Sequence, residues 1–235
     1  MSIADIRREY NLTSLRRSDL DTDPLAQFTK WFQQSTGARR TGRVRKYLIR
    51  LYKSLLMITG AEATEVNAAT LATAGHDGRP SARIVLLKGL DERGFIFFTN
   101  YSSRKGRELA ENPNAALVFY WVEQERQVCI AGEVARISIA ESEAYFKTRP
   151  KGSRIGAWAS HQSEVVESRA VLEGHWEEMN RKFPGDDVPM PPYWGGYVLS
   201  PKRVEFWQGC PNRLHDRFRY SKQPDNSWQI ERLSP

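Results

Sequence analysis

Between residues 67 and 134 the chain falls into short apolar runs separated by turn residues, and this spacing constrains the fold more than any other feature. The runs cover residues 69–73, 82–87, 95–99, 115–121 and 127–134, and they are rich in the β-branched and aromatic side chains that suit a pleated, half-buried surface. Gly75-His76-Asp77-Gly78, between the first two, is a hairpin signal. Three of the four connections are too short for the crossover helix that neighbouring parallel strands require. The expectation is therefore a mainly β chain with flanking helices (α+β), its strands antiparallel and closed into a barrel, rather than a parallel α/β sheet.

Helical signals flank this series. Asp23-Pro24 followed by Leu25, Phe28, Trp31 and Phe32 predicts an amphipathic helix with proline in its first turn, and residues 3–10 read as a short helix or arm. Ser138-Ile139-Ala140-Glu141 is a capping box opening a helix that ends before Arg149-Pro150. A further helix fits residues 164–183, stopped by the proline-rich stretch 184–192. Two or more strands close the chain, at 203–208 and around 227–233. With no fold-level repeat and no interdomain linker, residues 1–235 read as a single domain.

The net charge of +7 invites a polyanion-binding reading, but its location argues against one. Residues 39–61 hold Arg39, Arg40, Arg43, Arg45, Lys46, Arg50 and Lys53 with no acidic residue, which is the whole excess. In the same segment Val44, Tyr47, Leu48, Leu51, Leu55 and Ile58 recur at helical steps and predict a cationic amphipathic helix. The rest of the chain is charge-balanced, so no nucleic-acid partner is expected. Cys129 and Cys210 lie far apart, and His76, His161, His175 and His215 lack metal-ligand spacing. No metal site is expected, and a reducing cytoplasm is the simpler location. The first residues do not read as a secretory signal, and no apolar run reaches spanning length.

Several clusters carry chemistry. If Arg213-Leu214-His215-Asp216-Arg217 is extended, Arg213, His215 and Arg217 share one face, suited to an anionic or planar ligand; a solvated edge strand fits the segment equally well. In Tyr101-Ser102-Ser103-Arg104-Lys105-Gly106-Arg107 two cations enter a first helical turn against the helix dipole, which a bound phosphate would reverse; a serine-capped helix with solvated cations is the blander alternative. Arg83 and Lys88 bracket an apolar strand, either as ligands of anions on opposite faces or as charges at its frayed ends. Tyr145, Arg149 and Ser153, spaced four and four, form a second possible phosphate site, or else a core tyrosine and a helix-end charge. Gln162-Ser163 reads first as an N-cap of the long helix, Gln127 needs a hydrogen-bond partner if buried, and Trp207 is most simply a core aromatic, although indole can also pack against a planar cofactor.

Taken together, these segments resemble the pyridoxine/pyridoxamine 5′-phosphate oxidases, FMN enzymes of vitamin B6 metabolism. The resemblance rests on Arg7-Arg8-Glu9-Tyr10, Arg83-Ile84-Val85-Leu86-Leu87-Lys88, Phe98-Thr99-Asn100 with Ser103-Arg104-Lys105, and Glu125-Arg126-Gln127. It continues through Arg149-Pro150, Ile155-Gly156-Ala157-Trp158, Gln162-Ser163, and Phe206-Trp207-Gln208-Gly209 with the 213–217 segment. It implies an FMN-binding split-barrel homodimer with flavin sites at the subunit interface. FMN is then assigned to Arg83, Ile84, Val85, Leu86, Leu87, Lys88, Phe98, Thr99, Arg104, Lys105, Gln127, Gln162, Ser163, Trp207 and Arg217. Lys88, Tyr145, Arg149 and Ser153 would hold the substrate phosphate. Arg213, Leu214 and His215 would lie at the substrate ring, with Arg213 and His215 in the catalytic role, and the arm Arg7, Arg8, Glu9, Tyr10 would help cover the site.

The implied reaction converts pyridoxamine 5′-phosphate and pyridoxine 5′-phosphate to pyridoxal 5′-phosphate, with hydride passing to FMN and O2 reduced to hydrogen peroxide. Rival readings are another flavin-dependent split-barrel oxidoreductase, or a non-enzymatic binder of B6 phosphates or nucleic acid. The chain departs from the family in its basic segment. Thr36-Gly37-Ala38 recurs as Thr59-Gly60-Ala61, as if 39–61 were a 23-residue insertion with a duplicated edge, behind an N-terminal arm of residues 1–20. Val66, where the family often has proline, is a minor second departure.

Overall fold

The structure, a computed structural model, describes residues 2–5, 9–37 and 65–235. Arg7 and Arg8, the basic segment 39–61 and the helix expected within it lie outside the described residues. The elements in chain order are α1 (Pro24–Ser35), β1 (Ala68–Ala74), β2 (Pro80–Asp91), β3 (Gly94–Asn100), α2 (Arg104–Glu111), β4 (Asn114–Trp121), β5 (Arg126–Arg136), α3 (Ile139–Thr148), α4 (Lys151–Ala159), α5 (Arg169–Lys182), β6 (Trp194–Gln208), β7 (Asp216–Lys222) and β8 (Trp228–Leu233). Hydrogen bonding joins the strands in the order β3-β2-β1-β4-β5-β6-β7-β8, and β3 also pairs with β6. The first six strands thus close on themselves as an antiparallel barrel, as the short connections predict.

The chain divides into two compact units, one drawn from residues 70–117 and 131–202, the other from 1–69, 118–130 and 203–235. In the first, β2 and β3 pair antiparallel, but Leu87 faces Phe97 while Gly89 faces Ile96, so Lys88 is the extra residue of a β-bulge. The charge at 88 is therefore neither on a frayed end nor in regular alternation with Arg83. β3 pairs residue by residue with residues 194–199 of β6, burying Phe95, Phe97, Tyr197 and Leu199 together. Gly94 turns the β2–β3 hairpin at φ 136°, and a Cβ there would lie 2.0 Å from the Leu199 carbonyl oxygen. Only glycine fits both demands.

The capping box is present as read: Ser138 Oγ accepts the Glu141 N–H, and the Glu141 carboxylate accepts the Ser138 N–H. The long helix is shorter than expected. It begins at Arg169 with Ser168 as its N-cap, so residues 164–168 are not helical and Gln162-Ser163 is not the cap. Ser163 instead sits at φ 73°, outside the extended geometry an N-cap takes.

In the second unit, α1 opens with Asp23 accepting the Leu25 N–H and Pro24 in its first turn. Its apolar face sets Phe28 against Phe119 (ring centroids 5.0 Å apart) and Trp31 against Phe206 (5.1 Å). Each ring, fully buried, contributes about 1.5–3 kcal/mol of transfer free energy. Residues 203–208 of β6 pair with β7, placing Phe206 opposite Phe218 and Trp207 opposite Arg217. β7 pairs on its other side with β8 and is not an edge strand.

The segment 213–217 corrects the extended-strand expectation. Pro211–Arg213 form a 3₁₀ turn, Asn212 and Arg213 have positive φ (56° and 61°), and β7 starts only at Asp216. Left-handed backbone breaks the two-residue alternation, so Arg213, His215 and Arg217 do not line one strand face.

Candidate active site

The first unit holds most of the expected ligands. β3 ends at Asn100, and the chain enters α2 through Ser103, whose Oγ caps the helix by accepting the Gly106 N–H at 3.3 Å. This puts Arg104 and Lys105 in the first turn, as read. Arg104 is largely exposed, but Lys105 is buried, its Nζ donating to Gln162 Oε1 (2.8 Å), Thr99 Oγ1 (3.2 Å) and Ser103 Oγ (3.4 Å). None of these acceptors is charged. Burial, with the nearby Arg83, pushes the ammonium down to about 8. A buried cation held, among the described residues, by neutral oxygens fits an anion-binding site.

Gln162 thus acquires a role that neither capping nor solvation would have given it. It accepts from Lys105 and Thr99 and, with Ser163, lines a cavity of about 520 Å³ together with Arg83, Ile84, Val85, Leu86, Phe98, Thr99, Arg104 and Lys105. Leu87 is buried and lines neither this cavity nor its neighbour. Arg83 stands in a network whose centre the sequence reading missed. Glu108 Oε2 accepts from Thr73 Oγ1 (2.5 Å), Ser81 Oγ (2.6 Å) and Arg83 Nη2 (3.2 Å), and its Oε1 accepts from Arg104 Nε (2.8 Å). Arg83 also donates to Thr73 Oγ1 and Ser81 Oγ. Burial works to raise the Glu108 carboxyl, but hydrogen bonds from Ser81, Thr73, Arg104 and Arg83 bring it down to about 2. The available signal was the four-residue step from Arg104 to Glu108 on one helix face.

A second cavity, of about 590 Å³, shares Leu86, Phe98, Thr99 and Gln162 with the first. The structure brings Tyr145, Arg149 and Ser153, the three residues spaced four and four, into its wall together with Lys88. Ser153 reaches it from α4, because Pro150 stops α3 and α4 begins at once. Trp194, also missed, completes the site. It stacks on Phe98 (5.4 Å, 12°), and the Arg149 guanidinium lies 4.8 Å from its ring centre. Arg149 Nη1 is buried without a hydrogen-bond partner among the described residues, and burial lowers the guanidinium pKa. An orphaned buried donor of this kind calls for an acceptor such as a phosphate oxygen.

The remaining expected residues belong to the second unit. His215 packs against Trp207 (4.7 Å) and Tyr10 (5.6 Å, 82°), and its Nδ1 accepts the Cys210 N–H at 3.1 Å. A nitrogen that accepts carries no proton, so the neutral ring holds its hydrogen on Nε2. Trp207 is half-buried, not the core aromatic expected, because it alternates with the fully buried Phe206. Arg213 and Leu214 are exposed beside this aromatic group, and Glu9 is exposed next to Tyr10. Arg217 holds Glu205 through two bonds (2.7 and 3.1 Å). Gln127 finds its partner in the Cys129 sulfur at 3.2 Å. Among the described residues no group of acidic, cysteine and histidine side chains could hold a metal, and no helix is long and apolar enough to cross a membrane.

Residues 61–183 match the family model described as pyridoxamine 5′-phosphate oxidase, and residues 194–235 match that of the pyridoxine 5′-phosphate oxidase C-terminal dimerisation region. The sequence is 54% identical to pyridoxine/pyridoxamine 5′-phosphate oxidase 1 of Ralstonia nicotianae over 234 residues, covering 100% of this chain and 99% of the relative. It is 49% identical, with the same coverage, to a pyridoxine/pyridoxamine 5′-phosphate oxidase of Trichormus variabilis. Among solved structures it is similar to PhzG from Burkholderia lata 383 in complex with tetrahydrophenazine-1-carboxylic acid, at 30% identity and a TM-score of 0.80, covering 97% of this chain and 100% of that one. A pyridoxamine 5′-phosphate oxidase-related, FMN-binding protein of Nostoc punctiforme shares the fold at 16% identity and a TM-score of 0.65, covering 92% of this chain and 100% of that one.

Proposed function

Because the chain belongs to the pyridoxine/pyridoxamine 5′-phosphate oxidase family, FMN-dependent oxidoreductases of split-barrel fold, we propose that it oxidises pyridoxamine 5′-phosphate and pyridoxine 5′-phosphate to pyridoxal 5′-phosphate in the cytoplasm, as a homodimer. The observation that carries this reading is the unpartnered, buried Arg149 Nη1 in a cavity also lined by Lys88, Tyr145 and Ser153. Two cations and two hydroxyls suit a phosphate monoester, and the stacked aromatic group of Phe98, Tyr145 and Trp194 in the same lining suits a planar ring.

The adjoining cavity, with Arg83, Arg104, Lys105, Gln162 and Ser163, fits the phosphate end of FMN. When bound, the flavin would supply the redox chemistry: it would take a hydride from the substrate's 4′ carbon and deliver two electrons to O2, which with two protons gives hydrogen peroxide, while the alcohol loses its hydroxyl proton and the imine from the amine is hydrolysed by water with release of ammonia. The protein's part is to hold the substrate's phosphate through Arg149 and Lys88, so that the reacting carbon is fixed rather than free to tumble. Arg213 and His215 orient the ring and steady developing charge. Gln127, Trp207 and Arg217 are assigned to the flavin, and Arg7, Arg8, Glu9 and Tyr10 to covering the substrate.

The test is to purify the protein with FMN and follow pyridoxal 5′-phosphate and peroxide formation under air, with the unphosphorylated vitamers as controls. Turnover of the phosphorylated forms at far lower KM supports the reading; a colourless protein, or equal use of both forms, rejects it. Replacing Arg213 and His215 together by alanine is expected to cut turnover of the flavin-loaded enzyme, and unchanged turnover refutes their role. PhzG, whose complex holds a tetrahydrophenazine carboxylic acid, supplies the rival substrate class. Preferential turnover of such an acid would favour that reading, against the higher identity to the vitamin B6 enzymes.

A further inference from the structure

Glu108 belongs to none of the groups assigned to ligands, yet it is the only carboxylate bonded to the cationic residues of the smaller cavity among the described residues. The residue is nine-tenths buried and takes four donors on two oxygens. An isolated buried carboxylate would be costly, whereas this one is fully paired. Its donors come from three places in the chain: Thr73 on β1, Ser81 and Arg83 on β2, and Arg104 on its own helix.

We infer that Glu108 is a positioning residue for the flavin's phosphate: it fastens Arg83, whose terminal nitrogens are all taken by Leu71 O, Thr73, Ser81 and Glu108, and Arg104, so that Nε of Arg83 and the terminal nitrogens of Arg104 are left for the cavity. The inference rests on the reading that this cavity takes that phosphate. Three geometric facts support it. Arg83 and Arg104, two like charges lining one cavity, are bridged by separate oxygens of the same carboxylate. Glu108 engages Arg104 only through Nε, and the two terminal nitrogens of Arg104 have no partner among the described residues. Glu108 itself does not line this cavity; it lines the pocket beside the hairpin turn of His76 and Asp77, which Arg104 shares, so it stands outside the ligand-lining set. The charge count agrees. Arg83, Arg104 and Lys105 against Glu108 leave two positive charges, which match a phosphate monoester near its dianion.

The experiment compares FMN with riboflavin, which lacks the phosphate, by quenching of flavin fluorescence on the wild-type and Glu108→Gln proteins, with thermal unfolding as a check on folding. A positioning role predicts that Glu108→Gln weakens FMN binding about tenfold or more, in line with losing a hydrogen-bonded charge behind a ligand, while riboflavin binding changes little. Equal loss for both flavins, no loss, or tighter FMN binding overturns the inference, the last because it would make Glu108 a competitor for the arginines. If Glu108→Gln does not fold, Thr73→Val removes one donor to the same carboxylate, from a side chain that does not line the cavity, without stranding a charge. It is expected to shift the FMN to riboflavin ratio in the same direction by a smaller factor, and an unchanged ratio rejects the inference. A wild-type protein that binds FMN no better than riboflavin would instead reject the underlying phosphate assignment.

Discussion

At the scale of single residues, the site is organised by cations whose partners were invisible in one dimension. Lys105 shows the consequence. Its ammonium sits at about 8 in the folded protein against 10.5 in a free side chain, so between those values the unfolded chain holds more protons than the folded one. Below pH 8 its burial costs stability, and that cost is relieved as the pH rises from 8 to 10.5. In the flavin-free protein, Lys105→Met is expected to be more stable than wild type at pH 7 by about 1–2 kcal/mol, after allowing for solvent near the ammonium. The gap should close near pH 10.5, as read by urea unfolding at both values. FMN affinity should move the other way, lower in the variant and, in the wild type, falling as the pH rises through 8. A wild type that binds FMN equally well at pH 7 and pH 9.5 would contradict this. The residue pattern around α2 anticipated Lys105 because a cation in a first helical turn is locally unfavourable. It did not anticipate Glu108, since a carboxylate four residues after an arginine reads as an ordinary surface pair until β1 and β2 are known to close over it.

At the scale of elements, turn chemistry and capping were legible and strand irregularities were not. Asp23-Pro24 and Ser138 with Glu141 start α1 and α3 where the motifs put them, because these bonds are made within a few residues of chain. The bulge at Lys88 and the 3₁₀ turn at Pro211–Arg213 depend on what lies across the sheet, and the alternation rule fails at both. Lys88 nonetheless reaches the cavity wall that the motif implied. The β2–β3 hairpin offers a test at this scale. Gly94→Ala combines a positive-φ strain with a Cβ forced against the Leu199 carbonyl. It is expected to cost about 2 kcal/mol or more in chemical denaturation. A loss below about 0.5 kcal/mol would show that the hairpin relaxes around the added methyl group.

At the scale of the whole molecule, the basic segment is the open element of the design. Removing residues 39–61 deletes seven positive charges and joins Ala38 to Glu62. If the segment is dispensable to the fold, as its duplicated Thr-Gly-Ala edge suggests, the deletion protein is expected to bind FMN with unchanged affinity and to keep the mass of a dimer by light scattering. Loss of either outcome would make the segment part of the working structure. Dimerisation itself has a sequence basis, since residues 194–235 match a dimerisation region. What the sequence determined by itself is local or compositional: antiparallel strands from short connections, helix starts from caps, two candidate anion sites from clustered cations, and a family from motifs in order. What only the tertiary structure decided is which of those groups meet. Glu108 with Thr73, Ser81 and Arg83, and Arg149 with Trp194, are contacts between segments far apart in the chain. Such contacts form because burying a charge without a partner is too costly, and a partner at long range leaves no periodic trace in the sequence.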